Sequence, residues 1–340
     1  MPRQCAHWLA MTGSGRGSAC RGAVRIGDEQ GICDAKDMKD LICICGPTAS
    51  GKTGLAVALA KKLDGEVVSC DSMQIYRGMD VGTAKPTAAE MDGVPHWLLD
   101  AAEPGEDFSV GRYVKLADAA IADIRGRGKV AIVCGGTGLY MDSLIKGETF
   151  AAPSRPAQRE YVEHIAEEKG VAYLYEMLKD ADPETAEKLH LSDRKRIIRA
   201  MEVFLITGMP LSWHNEQSKN RPPKYEPAWL GLNFRDRAKL YARIDARVDE
   251  MLAQGLEAEV QALLDRGVDP KTTAMQAIGY KEMAAALRGE CTLRQAADRI
   301  KQASRNYAKR QLTWFRRNEA INWVYVDETP DLLAAAMRFI

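Results

Sequence analysis

The chain has 340 residues, 46% of them hydrophobic and 28% charged, enough for one large or two modest domains with a substantial core. Its 47 basic residues balance 47 acidic ones, which excludes a global basic field and confines any nucleic-acid surface to a local patch. No apolar run approaches the roughly 18 residues that cross a bilayer, so the sequence reads as a soluble, cytoplasmic protein without a membrane partner.

Residues 1–38 lack hydrophobic periodicity and contain the flexible run Gly13-Ser14-Gly15-Arg16-Gly17-Ser18. Arg3, Arg16, Arg21 and Arg25 precede the first acid, Asp28, as in a transit peptide, but the glycines spoil an amphipathic helix. The segment is expected to be a disordered extension, or to lie upstream of a natural start at Met38. A short apolar strand at 41–45 is followed by a helix at 53–62, a break at Gly65 and a second strand at 66–70. After an irregular stretch, 110–125 has helical periodicity, Gly126 and Gly128 end it, and 129–134 forms a third strand. Strands alternating with helices imply a parallel sheet covered on both faces.

From about 151 to 221 only helices are expected: 156–169, 172–179, one starting at Pro183 behind the N-cap candidate Asp182, and 193–207, stopped by Gly208 and Pro210. Asn220-Arg221-Pro222-Pro223 reads as a linker. A strand at 229–234 follows, then helices at about 236–265 and 292–317, a last strand at 322–326 and a short terminal helix. The expected organisation is an α/β core in two parts, 39–150 and 227–340, interrupted by an all-helical insertion at 151–226. Cys43 and Cys45 share one face of a strand and read as buried free thiols in a reducing compartment. There is no C-x-x-C pair, and beyond residue 214 only Cys291 and no histidine, which excludes a C-terminal zinc finger.

Gly46-Pro47-Thr48-Ala49-Ser50-Gly51-Lys52-Thr53 fits G-x-x-x-x-G-K-[ST] between a strand and a helix, the context that makes this pattern a phosphate loop. Its glycines let several N–H groups converge on one anion, reinforced by the helix dipole. Lys52 supplies a point charge, and the Thr53 hydroxyl completes a Mg²⁺ shell. A P-loop NTPase-like fold follows. The carboxylate that usually helps hold Mg²⁺ at another strand end is missing, because 129–134 runs into Gly135-Gly136-Thr137-Gly138, which weakens a motor-ATPase reading. Asp71 follows the second strand and should face the loop across the shared C-terminal edge of the sheet. Taken alone it is either a base or second-sphere metal partner, or an ordinary helix N-cap.

Around Asp71-Ser72-Met73-Gln74-Ile75-Tyr76 the chain resembles the tRNA dimethylallyltransferases, over nearly all of 40–326. Further matching stretches are 78–86 (Gly-Met-Asp-Val-Gly-Thr-Ala-Lys-Pro), Pro95-His96, 135–140, 276–282 and 305–311. Without a zinc finger the chain looks like the bacterial form. The resemblance implies transfer of a dimethylallyl group from its diphosphate to N6 of the adenine 3′ of the anticodon, in tRNAs reading codons that begin with U. Asp71 then matches the general base, the loop with Lys52 and Thr53 holds the diphosphate leaving group, Thr137 sits near it, and Arg159 reaches the same site. Asp71, Ser72, Met73 and Gln74 match the segment that receives a flipped-out base, whose edge Gln74 could read. The resemblance also carries Lys195, Arg196, Ile197, Ile198 and Arg199 to tRNA contact, with Gln276, Gly279, Tyr280 and Lys281. His96 is given no chemistry.

Independently of the resemblance, 294–317 carries eight basic residues against the single acid Asp298. Arg294, Lys301, Arg305, Lys309 and Arg316 fall on one side of a helix, with Ala296, Ile300, Tyr307, Trp314 and Phe315 opposite, and Arg310 adds to the charge. Such a face suits an RNA backbone; a merely solvated face would mix in glutamates. The expected partners are the tRNA anticodon stem-loop and dimethylallyl diphosphate, with Mg²⁺ as cofactor and a monomeric chain. The rivals are a small-molecule P-loop kinase, a transferase prenylating free AMP or ADP, and a non-enzymatic RNA-binding module.

Overall fold

The computed structural model describes residues 41–148, 155–219 and 222–340. The expected extension at 1–38 and the linker residues Asn220 and Arg221 lie outside the described residues. Six parallel strands form one sheet: β1 (Leu41–Cys45), β2 (Gly65–Cys70), β3 (His96–Trp97), β4 (Val130–Gly135), β5 (Ala228–Asn233) and β6 (Asn322–Tyr325), in the order β3-β2-β4-β1-β5-β6. Central β1 is buried along its whole length, which is why it reads as a continuous apolar run. The register pairs Ile44 with Cys134 and Cys70 with Gly135, so β1, β2 and β4 end level with one another. Everything that follows those strands therefore opens on one edge of the sheet.

One face of the sheet packs against α1 (Lys52–Leu63) and α14 (Leu332–Met337). The other carries α3 (Val110–Gly126), α4 (Gly138–Lys146), α11 (Leu256–Asp265) and α12 (Tyr280–Leu287). Over the strand ends, α10 (Arg237–Ala253) and α13 (Leu293–Phe315) enclose a small core of Ala49, Phe234, Leu240, Ile244, Ala308 and Leu312. The helical stretch consists of α5 (Pro156–Glu168), α6 (Val171–Ala181), α7 (Pro183–Glu187), α8 (Arg194–Thr207) and α9 (Leu211–Lys219). Its own apolar centre contains Val162, Leu174, Leu178, Ile197 and Ile198. Asp182 caps α7 by accepting the Thr185 N–H (3.0 Å) and ties in α9 through the Ser212 N–H (2.9 Å).

The strand and helix pattern follows the sequence with informative exceptions. Gly65 is the first residue of β2, and the chain turns at Asp64, whose φ is +48°. A Cβ on Gly65 would meet the Val130 carbonyl at 2.8 Å, so strand packing explains this glycine. The single helix expected at 236–265 is two, α10 and α11, separated at Gly255 (φ +99°). α4, α9, α12, the short α2 (Ala88–Met91) and β3 carry too little periodicity to be read beforehand; α4 and α12 both start from glycine-containing turns that mask a helix start. Among the described residues no helix is long and apolar enough to cross a membrane.

Candidate active site

The phosphate loop is built by strain that glycine relieves. Gly46 leaves β1 at φ +140°, where a Cβ would meet the Leu232 carbonyl at 2.4 Å, and Gly51 precedes α1 in the left-handed region (φ +87°). The loop opens on a cavity of about 470 Å³ lined by Lys52, Thr53, Asp71, Arg243, Arg247 and Tyr307, among others. Lys52 Nζ donates to the Pro47 carbonyl (2.6 Å), and burial lowers its pKa to about 8, the nearby Arg247 cation acting in the same direction. The Ser50 hydroxyl is buried without a hydrogen-bond partner, an orphaned donor inside an anion-shaped loop.

Asp71 stands on the same edge and faces the same cavity as Lys52. Its Oδ1 accepts the N–H groups of Met73 (2.9 Å) and Gln74 (3.3 Å), which fixes the turn after β2. Its other oxygen has no hydrogen-bond partner among the described residues. The cap and the chemical role are thus compatible, one oxygen for each. A second cavity of about 350 Å³, lined by Ser72, Met73, Met251, Gln276, Ile278 and Lys281, adjoins the first. Thr48, Asp71, Thr83, Arg247 and Tyr307 line both. Thr137 holds this wall together: its hydroxyl accepts the Ser72 N–H (3.0 Å). The hydroxyl of Tyr307, which lines both cavities, is pushed up to about 12 by burial and by the Asp71 charge.

Four residues that sequence reading missed complete the edge. Arg243 donates from Nε to the Ala49 carbonyl (3.0 Å). Arg247 approaches Thr48 Oγ1 (3.5 Å) and the Ala84 carbonyl (3.4 Å), and its burial lowers its pKa against the pull of Asp71. Two arginines four apart on α10 were the available signal, hidden among the ordinary charges of an amphipathic helix. Tyr307 and Gln311 come from the side of α13 assigned to packing. Gln311 accepts the Thr48 N–H and donates to the Gly136 carbonyl, both at 2.9 Å. The Gly-Gly-Thr-Gly turn is explained by this helix: a Cβ on Gly136 would lie 2.1 Å from Gln311 Nε2, and one on Gly138 2.2 Å from Trp314 Cδ1.

Gln74 lines the loop cavity with its amide engaged: Nε2 donates to the Thr83 (3.3 Å) and Ala84 (3.2 Å) carbonyls, and Oε1 accepts from the Ser69 hydroxyl (3.3 Å). Arg159 lines neither cavity and pairs with Glu163 (3.0 Å) and Glu202 (3.7 Å). Ile197 and Ile198 are buried in the helical core, Lys195 and Arg196 are exposed, and Arg199 is bonded to Glu202 (3.0 Å). Tyr280 is fully buried with its hydroxyl donating to Glu259 (2.6 Å), and Gly279 (φ +100°) turns the chain into α12. On α13, Arg305 is held by both oxygens of Asp245 (2.5 and 2.7 Å) and Lys301 by Asp249 (2.6 Å). The neutralising acids come from α10, α13 itself carrying only Asp298. Lys309 and Arg310 stay exposed, over the rings of Tyr241 and Tyr307.

No group of three or more His, Cys, Asp or Glu side chains suited to a metal exists among the described residues. The Thr53 hydroxyl on the loop cavity is a hard oxygen donor of the kind a Mg²⁺ ion accepts beside substrate oxygens and water.

A parallel α/β sheet whose phosphate loop and Asp71 open on one cavity, with a second cavity beside it, defines a P-loop enzyme of the diphosphate-handling kind. Residues 74–318 match the sequence model for IPP transferase, and 39–104 that for isopentenyl transferase. The tRNA dimethylallyltransferase of Thermoanaerobacter sp. is 50% identical over 85% of this chain and 92% of its own length. Among solved structures, the full-length tRNA isopentenylpyrophosphate transferase of Bacillus halodurans is 42% identical with a TM-score of 0.65, covering 88% of this chain and 94% of that one. A eukaryotic dimethylallyltransferase acting on tRNA gives a TM-score of 0.75 at 29% identity, covering 88% of this chain and 78% of that one. The chain belongs to the IPP transferase family.

Proposed function

We propose that this protein transfers a dimethylallyl group from dimethylallyl diphosphate to the exocyclic N6 of the adenine 3′ of the anticodon, in tRNAs reading codons that begin with U, giving N6-isopentenyladenosine. Family membership supports the reaction class. The observation that carries the reading is the wall shared by two cavities, with the phosphate loop in one and Asp71 facing both. The diphosphate lies in the loop, where Lys52, Arg243, Arg247 and the converging amides meet the charge that develops on the leaving oxygen. The flipped-out adenine enters the second cavity, bounded by Ser72, Met73 and Gln276. As N6 attacks, the allylic C–O bond breaks, the C–N bond forms, the N6 proton passes to the unengaged oxygen of Asp71, and diphosphate leaves with the electron pair. Thr53 would hold Mg²⁺, which when bound neutralises diphosphate charge.

The anticodon stem-loop docks on Lys309 and Arg310 of α13, with Lys195 and Arg196 from the inserted helices at 151–226 as a second contact. The chain acts as a monomer, and its buried free thiols Cys43, Cys45 and Cys70 suit a reducing cytoplasm. Incubation with unmodified tRNA, dimethylallyl diphosphate and Mg²⁺, followed by nucleoside mass spectrometry, tests the whole reading. The expected result is a dimethylallyl mass gain on adenosine. A mass gain only when ATP replaces the allylic substrate, or modification of free AMP but not tRNA, overturns it.

A further inference from the structure

α13 carries both an RNA-facing surface and the fixture of the phosphate loop, in adjacent residues. Lys309 and Arg310 are exposed, whereas the next residue, Gln311, is only 5% exposed and turns inward. Its one amide joins two segments far away in sequence, the phosphate loop at Thr48 and the turn after β4 at Gly136, each through a 2.9 Å hydrogen bond. One turn earlier, Tyr307 lines both cavities together with Thr48 and Asp71. The next inward turn places Trp314 on Gly138, with Nε1 donating to Asp142 (2.9 Å). Since Gly136 and Gly138 have no room for a Cβ, the helix is seated against the turn without slack. A displacement of α13 must therefore move the Thr48 amide as well.

We propose that Gln311 is a positioning residue that couples RNA docking on α13 to the anion affinity of the phosphate loop. The inference rests on the function proposed above. A glutamine suits the task because it satisfies a buried donor and a buried acceptor at once while bringing no charge to a diphosphate site. A glutamate would keep the acceptor for Thr48, lose the donor to Gly136 and place a negative charge beside the bound anion. Coupling is reciprocal at equilibrium, so RNA must tighten diphosphate by the same factor as diphosphate tightens RNA.

Calorimetric titration of inorganic pyrophosphate with Mg²⁺, in the presence and absence of saturating unmodified anticodon stem-loop RNA, measures that factor. In the parent protein RNA should tighten pyrophosphate roughly tenfold. In Gln311→Leu the ratio should fall to near unity, whatever happens to the two separate affinities. A residue that merely supports the fold would change stability and both affinities and leave their ratio intact. Gln311→Glu, checked by thermal melting alongside, carries the test if the leucine variant fails to fold, and its ratio should also collapse. A ratio preserved in a folded variant overturns the assignment. So does a parent that prenylates tRNA yet shows no coupling, whereas a parent that cannot prenylate tRNA overturns the function itself.

Discussion

Asp71 fixes the turn after β2 through Oδ1 alone, which makes the base role proposed for its other oxygen separable by mutation. Asp71→Asn keeps an acceptor for the Met73 and Gln74 amides, so the turn after β2 should persist. The base is lost. The rate of the chemical step in single-turnover assays should fall at least about 100-fold, with tRNA affinity unchanged. Comparable single-turnover rates in variant and parent would remove Asp71 from the base role. Lys52 offers a second handle. Burial lowers its pKa to about 8, so the ammonium is present below that pH and lost above it. Pyrophosphate affinity should therefore decline as pH rises through about 8, and the decline should vanish in Lys52→Met. Equal pH profiles for the two proteins would mean that Lys52 does not supply the titrating charge.

α13 shows what a helix pattern can and cannot disclose. Its amphipathic pattern was legible in the sequence, and so was the surplus of cations on its outer side. The structure divides that surplus, because Arg305 and Lys301 are held by Asp245 and Asp249 of α10, a pairing between helices that no single-helix pattern contains. Lys309 and Arg310 are exposed, and they are the residues proposed to meet a phosphate backbone. Replacing both with alanine should weaken stem-loop binding and make the slope of log affinity against log salt shallower by roughly one to two units. Replacing Arg305 should mainly cost stability. An identical salt slope in the double variant would place the RNA elsewhere. The phosphate loop and Asp71 were readable because each sits in a short motif at a strand end. Arg243, Arg247, Tyr307 and Gln311 were not, since their chemistry comes from two helices folding back over the loop from more than 190 residues away. Their types and spacing are those of ordinary amphipathic helices. For Gln74 the local motif suggested a reader of bases, and its tertiary contact with residues 83–84 was not legible in that motif.

At the scale of the whole molecule, chemistry and stability occupy opposite edges of one sheet. The C-terminal strand ends carry the loop, Asp71 and the glycine turn, as open α/β sheets place their sites. Near the other edge, Glu66 at the start of β2 is almost fully buried and binds Arg127 through both oxygens (2.6 and 2.8 Å) and Trp97 Nε1 (2.9 Å). It thereby ties β2 to β3 and to the connection from α3 into β4. The hydrogen bonds from Arg127 lower its pKa from about 4.5 to about 2. A carboxylate depressed on folding stabilises the native state at pH above its unfolded value, and loses that contribution as pH falls through its folded value. The Glu66 contribution should thus be complete above about pH 4.5 and fade towards pH 2. Glu66→Gln should cost about 2 kcal/mol near neutrality, below the roughly 3–5 kcal/mol of a fully buried pair because Arg127 is partly exposed. The thermal midpoint should drop by about 4 °C at pH 7, and the gap from the parent should narrow below pH 4.5. Prenylation measured well below that midpoint should be unchanged, because the substitution lies across the sheet from the loop. A variant that loses turnover while keeping its thermal midpoint would show that the two edges are not independent.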